Sequence, residues 1–249
     1  MRRLFFFLVM PLHYLLGLPY LGLIHFVGLF NRPLRRSMAY KYNRLTAWWL
    51  YKVAGAKFVI KGLENVPTDT NFLLVSNHRS MLDIPLVMLQ FKKPLIFIGK
   101  DAIRKWPFIG WWLDAMDGLF INRTNPKEGL KTILTAIDRI NAGESCIIYP
   151  EGTRTKTKEI QPFKQGSLKL ASKTGVPVIP MSVLGTDDVF ENNHVNLRPE
   201  TVYLTIGKPI NLSALSKEDQ LRSASYVQEI IEEMYQAQIL EKDIATTLK

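Results

Sequence analysis

The stretch Phe72-Leu73-Leu74-Val75-Ser76-Asn77-His78 is an apolar run that stops at three polar residues. An apolar run without alternation predicts a strand that is buried on both faces. The same pattern returns at residues 146–149, which lead into Pro150-Glu151-Gly152. Strands of this kind are typical of parallel sheets, whose ligands bind beyond the carboxyl ends of the strands. The polar residues after each run are therefore the first candidates for a functional site.

Strands and helices alternate along the rest of the chain. Further strands are predicted at residues 57–61, 95–98, 119–121, 178–183 and 202–206. Helices are predicted at residues 80–90, 126–142 and 164–173 and after residue 216, with Ser80, Asn125 and Ser216 as amino-terminal caps. We therefore expect residues 57–249 to form an α/β domain with a largely parallel central sheet covered by helices.

The first polar cluster contains a histidine and an aspartate, His78 and Asp83, five positions apart. On one regular helix their side chains would point about 140° apart, but they can pair if His78 precedes the helix and Asp83 lies in its first turn. An aspartate that accepts from one ring nitrogen fixes the tautomer and leaves the other nitrogen as a general base. A loop histidine beside an ordinary capping aspartate is the alternative.

The second polar cluster is Tyr149-Pro150-Glu151-Gly152-Thr153-Arg154. Gly152 allows a turn or a close approach of the backbone to a ligand. Arg154 suits a phosphate because its planar guanidinium donates two parallel hydrogen bonds, and Glu151 could contact the same polar headgroup. A surface ion pair between Glu151 and Arg154 is the alternative.

The excess positive charge lies in the first part of the chain. The 249 residues include 32 Lys+Arg and 22 Asp+Glu, for a net charge of +10. Ten basic residues precede Glu64, which is the first acidic residue. The remaining residues sum to zero charge, which argues against a nucleic-acid-binding body. Cys146 is the single cysteine, so an intrachain disulfide is excluded.

The amino-terminal segment has the composition of a membrane-binding segment. Residues 4–31 are uncharged, and arginines flank them on both sides. One continuous helix of this length would measure about 42 Å, against about 30 Å for a bilayer's hydrocarbon core. Pro11, Pro19 and three glycines interrupt the run, which together with the flanks fits a kinked or re-entrant segment in one leaflet. We expect residues 1–56 to be a membrane-anchoring helical segment, with a signal peptide or a buried core helix as alternatives.

The order of four sequence blocks resembles the 1-acylglycerol-3-phosphate acyltransferase family of glycerolipid acyltransferases. The blocks are Asn77-His78 with Asp83, residues 118–123, residues 149–154 and residues 176–181. The first and third blocks are the specific ones, since the other two are mostly apolar. Lys100 matches a basic residue that the family carries between its first two blocks, and residues 163–166 match the run after the third. Tyr149 is a departure, because the family more often has phenylalanine there.

The resemblance implies that a fatty acyl group moves from an acyl thioester to the sn-2 hydroxyl of lysophosphatidate, giving phosphatidate. His78 would then be the catalytic base, and Asp83 would orient it. The substrate-binding residues implied by the matched blocks are Lys100, Arg123, Glu151, Gly152, Thr153 and Arg154.

The resemblance also implies the partners. The acyl donor would be acyl-CoA or acyl carrier protein, with no further cofactor and no metal. The enzyme would meet lysophosphatidate at the phospholipid bilayer, on the cytoplasmic face of the inner or plasma membrane, and no nucleic acid is expected. Glycerol 3-phosphate or another lysophospholipid is the alternative acceptor, and a non-catalytic anionic-lipid-binding protein is the alternative without chemistry.

Two other enzyme classes fit the sequence poorly. A serine hydrolase or thioesterase would need a nucleophile, but the chain has no Gly-x-Ser-x-Gly motif, and Cys146 lies within an apolar strand. A metal hydrolase would need clustered histidines or carboxylates. The chain has four histidines, of which His13 and His25 fall in the apolar amino-terminal segment.

Overall fold

The fold is built on a seven-stranded sheet with the order β1-β7-β6-β2-β5-β3-β4. It is seen in a computed structural model that describes residues 8–155, 157, 159–194 and 196–247. Arg2 and Arg3, which precede the apolar segment, lie outside the described residues. The strands are β1 (Lys57–Lys61), β2 (Leu73–Ser76), β3 (Ile96–Lys100), β4 (Leu119–Ile121), β5 (Cys146–Ile148), β6 (Val178–Leu184) and β7 (Thr201–Ile206).

Helices precede, separate and follow these strands. They are α1 (Met10–Leu16), α2 (Leu18–Gly28), α3 (Arg32–Ala54), α4 (Asp83–Gln90), α5 (Ile109–Ala115), α6 (Pro126–Asn141), α7 (Lys169–Thr174), α8 (Thr186–Val189), α9 (Lys217–Leu221) and α10 (Ser223–Thr247). Five of the strand pairings are parallel, and the pairing of β6 with β7 is antiparallel. The prediction of a largely parallel α/β sheet is confirmed.

Both faces of the sheet are covered, as unalternating apolar strands require. Leu74 of β2 packs into a buried cluster with residues of α3, α4 and α5, such as Leu86 and Trp112. Its neighbour Leu73 points to the other face, into a cluster with residues of α6, α7 and α10, such as Ile140. Successive side chains of a strand alternate between faces, so one apolar run supplies both layers of the core.

Three helix predictions are corrected by the structure. The helix expected from residue 80 begins at Asp83, and the helix expected from residue 164 begins at Lys169. Ser216 accepts a hydrogen bond from the Asp219 N–H and caps the five-residue helix α9, whereas the long carboxy-terminal helix α10 is a separate helix. The cap at Asn125 is confirmed, because its side chain accepts from the N–H groups of Lys127 and Glu128.

The apolar amino-terminal segment is a bent helix pair. Pro11 and Pro19 lie in the first turns of α1 and α2, where proline is tolerated, so they begin helices rather than kink one from inside. Among the described residues no single helix is long and apolar enough to cross a bilayer, but α1 and α2 together are, with a bend of 47° between them. The division between residues 56 and 57 into anchor and domain stays a prediction.

Three arginines that follow the apolar segment form ion pairs with acidic residues of the α/β domain. Arg32 Nε lies 2.9 Å from Asp117 Oδ2, Arg35 bonds the other oxygen of Asp117, and Arg36 bonds Glu144. Arg35 and Arg36 are mostly buried by these contacts. Arg35 and Arg36 are therefore engaged with acidic residues of the protein and are largely withheld from a membrane surface.

Candidate active site

Four adjacent parallel strands carry the candidate residues to one edge of the sheet. His78 follows β2, Glu151 follows β5, Lys100 ends β3 and Arg123 follows β4. In the sheet β2 neighbours β5, β5 neighbours β3 and β3 neighbours β4, all in parallel. The carboxyl ends of parallel strands meet at the same edge, which is why residues far apart in sequence share a site.

His78 and Asp83 form the pair that the spacing allows. His78 Nδ1 lies 2.7 Å from Asp83 Oδ2, with His78 in the loop ahead of α4 and Asp83 as the first residue of that helix. The carboxylate is fully buried, while the imidazole is 19 % exposed. With Nδ1 engaged, Nε2 is the nitrogen left to exchange a proton with a substrate.

The buried carboxylate of Asp83 is fully satisfied by its surroundings. Oδ2 also accepts from the N–H groups of Arg79 and Ser80 at 2.7 and 2.9 Å, and Oδ1 accepts from the Thr186 hydroxyl at 2.6 Å. These bonds wrap the loop around the aspartate, which is why the helix begins at Asp83 and not after Ser80. Ser80 does not cap the helix, because its hydroxyl accepts from the Leu82 N–H and donates to Glu191.

Glu151 links the two polar clusters. Its Oε1 accepts from the His78 N–H at 2.6 Å, and its Oε2 accepts from the Gln161 N–H at 3.0 Å and from the Thr155 hydroxyl. The residue is only 5 % exposed. Both oxygens of Glu151 therefore accept hydrogen bonds from within the protein, and one of these bonds fixes the backbone at His78, while its expected role in substrate binding stays a prediction. The alternative ion pair between Glu151 and Arg154 is absent among the described contacts.

Three cationic or flexible positions converge beside Glu151. Gly152 has φ +75°, a conformation that favours glycine, and Arg123 donates to its carbonyl oxygen. A Cβ on Gly152 would lie 2.5 Å from Lys164 Nζ and 3.5 Å from Arg123 Nη1. The Lys164 ammonium thus lies beside Gly152, and the sequence signal for Lys164 was its place in the run after the third block.

Arg154 is held at the site by an acidic partner. Its Nη1 donates to Glu191 Oε1 at 2.9 Å, and Glu191 also accepts from the Met81 N–H at 2.8 Å and from the Ser80 hydroxyl at 2.5 Å. Glu191 therefore joins the two polar clusters a second time. No pattern in the sequence singled it out, because it lies in a short 3-10 helix (Glu191–Asn193) more than a hundred residues after His78.

One cavity connects these groups. Its volume is about 630 Å³, and His78 and Tyr149 line it. The remaining candidate residues that line it are Lys100, Arg123, Gly152, Thr153 and Arg154. Apolar side chains make up the rest of the wall, among them Leu82, Met88 and Phe97. The cavity is therefore amphiphilic, with a histidine, cationic side chains and many apolar side chains in its wall.

Amino-terminal helices supply part of the cavity wall. Tyr14 of α1 lines it together with Ala47 and Leu50 of α3. A 2.9 Å hydrogen bond between His13 Nε2 and Thr46 Oγ1 joins α1 to α3. The segment expected to act as a membrane anchor is thus also a structural component of the site.

The electrostatics of the site follow from partial burial. Desolvation lowers the pKa of Arg123 from its usual value, a shift that a bound anion would reverse. Burial raises the pKa of the Tyr149 hydroxyl well above its usual range, and the nearby Asp83 carboxylate adds to this. Across the residues that the structure describes, no three His, Cys, Asp or Glu side chains are arranged to hold a metal ion. The expectation that the reaction needs no cofactor stays a prediction.

The chain matches a family described as Acyltransferase over residues 57–184. It is 29 % identical over 183 residues to the 1-acyl-sn-glycerol-3-phosphate acyltransferase of Borreliella burgdorferi, covering 74 % of this chain and 72 % of that protein. It is 30 % identical to the lyso-ornithine lipid O-acyltransferase of Pseudomonas aeruginosa, covering 82 % of this chain and 84 % of that protein. It spans about half the length of two chloroplast relatives, from Brassica napus and Arabidopsis thaliana, namely 54 % and 52 %.

A solved structure has the same fold. The crystal structure of the 1-acyl-sn-glycerophosphate (LPA) acyltransferase PlsC from Thermotoga maritima matches with a TM-score of 0.75 at 29 % sequence identity. The match covers 95 % of this chain and 97 % of the other, so it includes the amino-terminal helices as well as the α/β sheet.

Proposed function

The chain belongs to the acyltransferase family, so the resemblance read from its sequence blocks is confirmed, and we propose on this premise that it is a 1-acylglycerol-3-phosphate O-acyltransferase. It would transfer a fatty acyl group from an acyl thioester to the sn-2 hydroxyl of lysophosphatidate, giving phosphatidate. The observation that carries this proposal is the amphiphilic cavity with the His78–Asp83 pair in its wall.

In the proposed reaction His78 is the general base. Its Nε2 takes the proton of the acceptor hydroxyl while the hydroxyl oxygen forms a bond to the thioester carbonyl carbon. The carbonyl π electrons move onto oxygen, and their return breaks the carbon–sulfur bond. The leaving thiolate then takes the proton from the imidazolium. Asp83 supports the transient positive charge on the ring, and a base of this kind contributes about 10²–10⁴-fold.

The cations favour a phosphate-bearing acceptor. Lys100, Arg123 and Arg154 line one cavity, and the Lys164 ammonium lies beside Gly152. A phosphate monoester is dianionic and accepts charge-assisted hydrogen bonds from several such groups. A lyso-ornithine lipid has no phosphate, and its headgroup carries one carboxylate beside one ammonium, so it offers these cations less negative charge than a phosphate dianion does. The apolar wall favours an acceptor with an acyl chain over glycerol 3-phosphate.

We propose that the reaction takes place at a bilayer surface, on the cytoplasmic face. The bent pair α1–α2 exposes large apolar residues, including Leu16, Leu23 and Phe26. On α3, Trp48 and Trp49 are also exposed, and Lys52 Nζ lies 4.4 Å from the Trp48 ring. Tryptophan beside lysine is typical of a lipid–water interface. A protein bound there would meet lysophosphatidate without extracting it from the membrane.

The acceptor is tested by comparing the rates with three compounds. Purified detergent-solubilised protein is supplied with palmitoyl-CoA or palmitoyl acyl carrier protein, and with lysophosphatidate, glycerol 3-phosphate or lyso-ornithine lipid. We expect the largest kcat/KM with lysophosphatidate. A preference for either of the other acceptors would keep the chemistry and replace the acceptor. Comparison of the two thioesters identifies the donor.

Membrane binding is tested separately from catalysis. Vesicles of phosphatidylcholine, with or without phosphatidylglycerol, are sedimented with wild-type protein and with the double variant Trp48→Ala/Trp49→Ala. We expect the variant to bind both kinds of vesicle more weakly. Equal binding would remove these tryptophans from the proposed interface. Folded protein that binds vesicles but transfers no acyl group to any acceptor would favour the non-catalytic lipid-binding alternative.

A further inference from the structure

The Tyr149 side chain is placed against the catalytic pair but is not used by it. Its ring stacks on the His78 imidazole, with 4.2 Å between the ring centroids and 25° between the planes. Its hydroxyl is buried and has no hydrogen-bond partner among the described residues. The residue also lines the cavity that contains His78.

Packing against His78 does not explain why this residue carries a hydroxyl group. Phenylalanine, the more usual residue of the family at this position, would stack on the imidazole in the same way. A buried hydroxyl without a partner destabilises the folded protein, because it gives up its hydrogen bonds to water and gains none. A group of this kind in the wall of a binding cavity points to a partner that arrives with the substrate.

The substrates leave few acceptors for this hydroxyl. The phosphate has the cations Lys100, Arg123 and Arg154, and the reacting hydroxyl has His78. The thioester carbonyl must lie next to His78, because the attacking oxygen bonds to its carbon. Its oxygen also gains negative charge in the transition state and requires a donor.

We propose that the Tyr149 hydroxyl donates a hydrogen bond to the thioester carbonyl oxygen of the acyl donor, and that this bond strengthens as the oxygen becomes an oxyanion. The inference rests on the proposed function and adds a catalytic residue to it. While the carbonyl π electrons reside on oxygen the tyrosine proton stays on Tyr149. The bond weakens again when those electrons return and the carbon–sulfur bond breaks.

The protonation state suits this role. Burial raises the pKa of Tyr149 well above its usual range, and the Asp83 charge acts in the same direction. The hydroxyl therefore keeps its proton and remains a hydrogen-bond donor at neutral pH. A tyrosinate would repel the developing oxyanion.

The test is the variant Tyr149→Phe, which removes one oxygen atom and keeps the ring stack. We expect kcat to fall about tenfold, as for the loss of one hydrogen bond, with the KM for lysophosphatidate unchanged. The thermal midpoint should stay equal or rise, because an unpartnered buried polar atom is removed. A fall in kcat of less than about threefold would overturn the inference, since it would leave no room for a bond that strengthens in the transition state.

A second acceptor separates the two carbonyl groups that the substrates carry. Lysophosphatidate has an ester carbonyl on its sn-1 chain, whereas its 1-O-hexadecyl ether analogue has none. If Tyr149 bonds the thioester, Tyr149→Phe lowers kcat by the same factor with both acceptors. If the factor disappears with the ether, the hydroxyl bonds the acceptor ester and the inference is wrong.

A matched control is available at Tyr40. Its hydroxyl is buried and donates to the Phe91 carbonyl oxygen at 2.8 Å, and the residue does not line the cavity. Tyr40→Phe should lower the thermal midpoint and leave kcat unchanged, the opposite of the pattern expected for Tyr149→Phe. If the wild type is active and Tyr149→Phe is equally active, the inference is rejected and the proposed function stands. Inactivity of the wild type with all donors and acceptors would reject the proposed function.

Discussion

The backbone N–H of His78 donates to Oε1 of Glu151 at 2.6 Å, across 73 positions of sequence. The Thr155 N–H returns a hydrogen bond to the His78 carbonyl oxygen at 2.9 Å. The loops after β2 and β5 are therefore fastened to each other on both sides of His78. Asp83 fixes the imidazole ring, whereas Glu151 fixes the backbone that carries it.

Glu151→Gln tests this division of labour. The amide oxygen of glutamine can accept from one of the N–H donors at His78 and Gln161. Its NH₂ group would face the other N–H, so that hydrogen bond is replaced by an unfavourable contact between two donors. We expect a loss of about 1–3 kcal/mol in unfolding free energy and a lower kcat, with the KM for lysophosphatidate little changed. Kinetics and thermal unfolding measure the two effects.

The control for this change is the exposed Glu218, which lies on α9 away from the site. Glu218→Gln should alter neither stability nor kcat. A Glu151→Gln variant with normal kcat and a raised KM for the acceptor would show that Glu151 binds the headgroup after all.

Gly152→Ala should weaken acceptor binding, because the added methyl group displaces a neighbouring cation. At φ +75° an alanine is strained by about 1 kcal/mol, and its Cβ would displace the Lys164 ammonium. Gly175→Ala is the matched control, because Gly175 has φ +71° but nothing within 4 Å of the added Cβ. Both variants should lose similar stability in thermal unfolding. Only Gly152→Ala should raise the KM for lysophosphatidate; an equal KM in both would remove Lys164 from the headgroup site.

Arg154→Gln should weaken the selection of a phosphate headgroup. Loss of a charge-assisted bond costs about 1.5–3 kcal/mol, which predicts a fall of about tenfold or more in kcat/KM for lysophosphatidate. The rate with lyso-ornithine lipid, whose single carboxylate carries less negative charge than a phosphate dianion, should fall less. Arg222→Gln is the control, since Arg222 pairs with Asp219 and Glu229 at the surface. An equal loss with both acceptors would contradict a phosphate contact.

Ala47→Leu tests whether α3 limits the space for the acyl chain. Ala47 is buried and lines the cavity, so a larger side chain there should shorten the apolar part. We expect the rate with a palmitoyl donor to fall several-fold more than the rate with a decanoyl donor. The ratio of the two rates is the measurement, because general damage to the fold lowers both. An unchanged ratio would place the donor chain elsewhere.

The sheet could be predicted because its strands are short apolar runs that end in polar residues. The prediction failed where tertiary contacts override local signals. Ser80 has the sequence of a helix cap, but the Asp83 carboxylate draws the Arg79 and Ser80 N–H groups around itself. Lys164 looked like the start of a helix, but its N–H donates to the Pro150 carbonyl oxygen and ties the chain to the site loop.

The site could be predicted where its residues fall within short sequence motifs. The pairing of His78 with Asp83 is one of the two arrangements that their spacing allows, and Lys100, Arg123 and Arg154 do line one cavity. Glu191 was missed because its contacts with Ser80 and Arg154 depend on how distant loops meet. A sequence pattern also shows which residues are charged but not which of them are already held by hydrogen bonds within the protein, as Glu151 illustrates.

The central claim is most directly tested by phosphatidate formation from lysophosphatidate and a palmitoyl thioester, with wild-type protein and His78→Ala measured side by side. The Nε2 of His78 is proposed to accept the hydroxyl proton, so we predict that kcat falls by about 10²–10⁴-fold while thermal unfolding and vesicle binding are retained. A folded His78→Ala variant whose rate drops by less than about tenfold would contradict the general-base role.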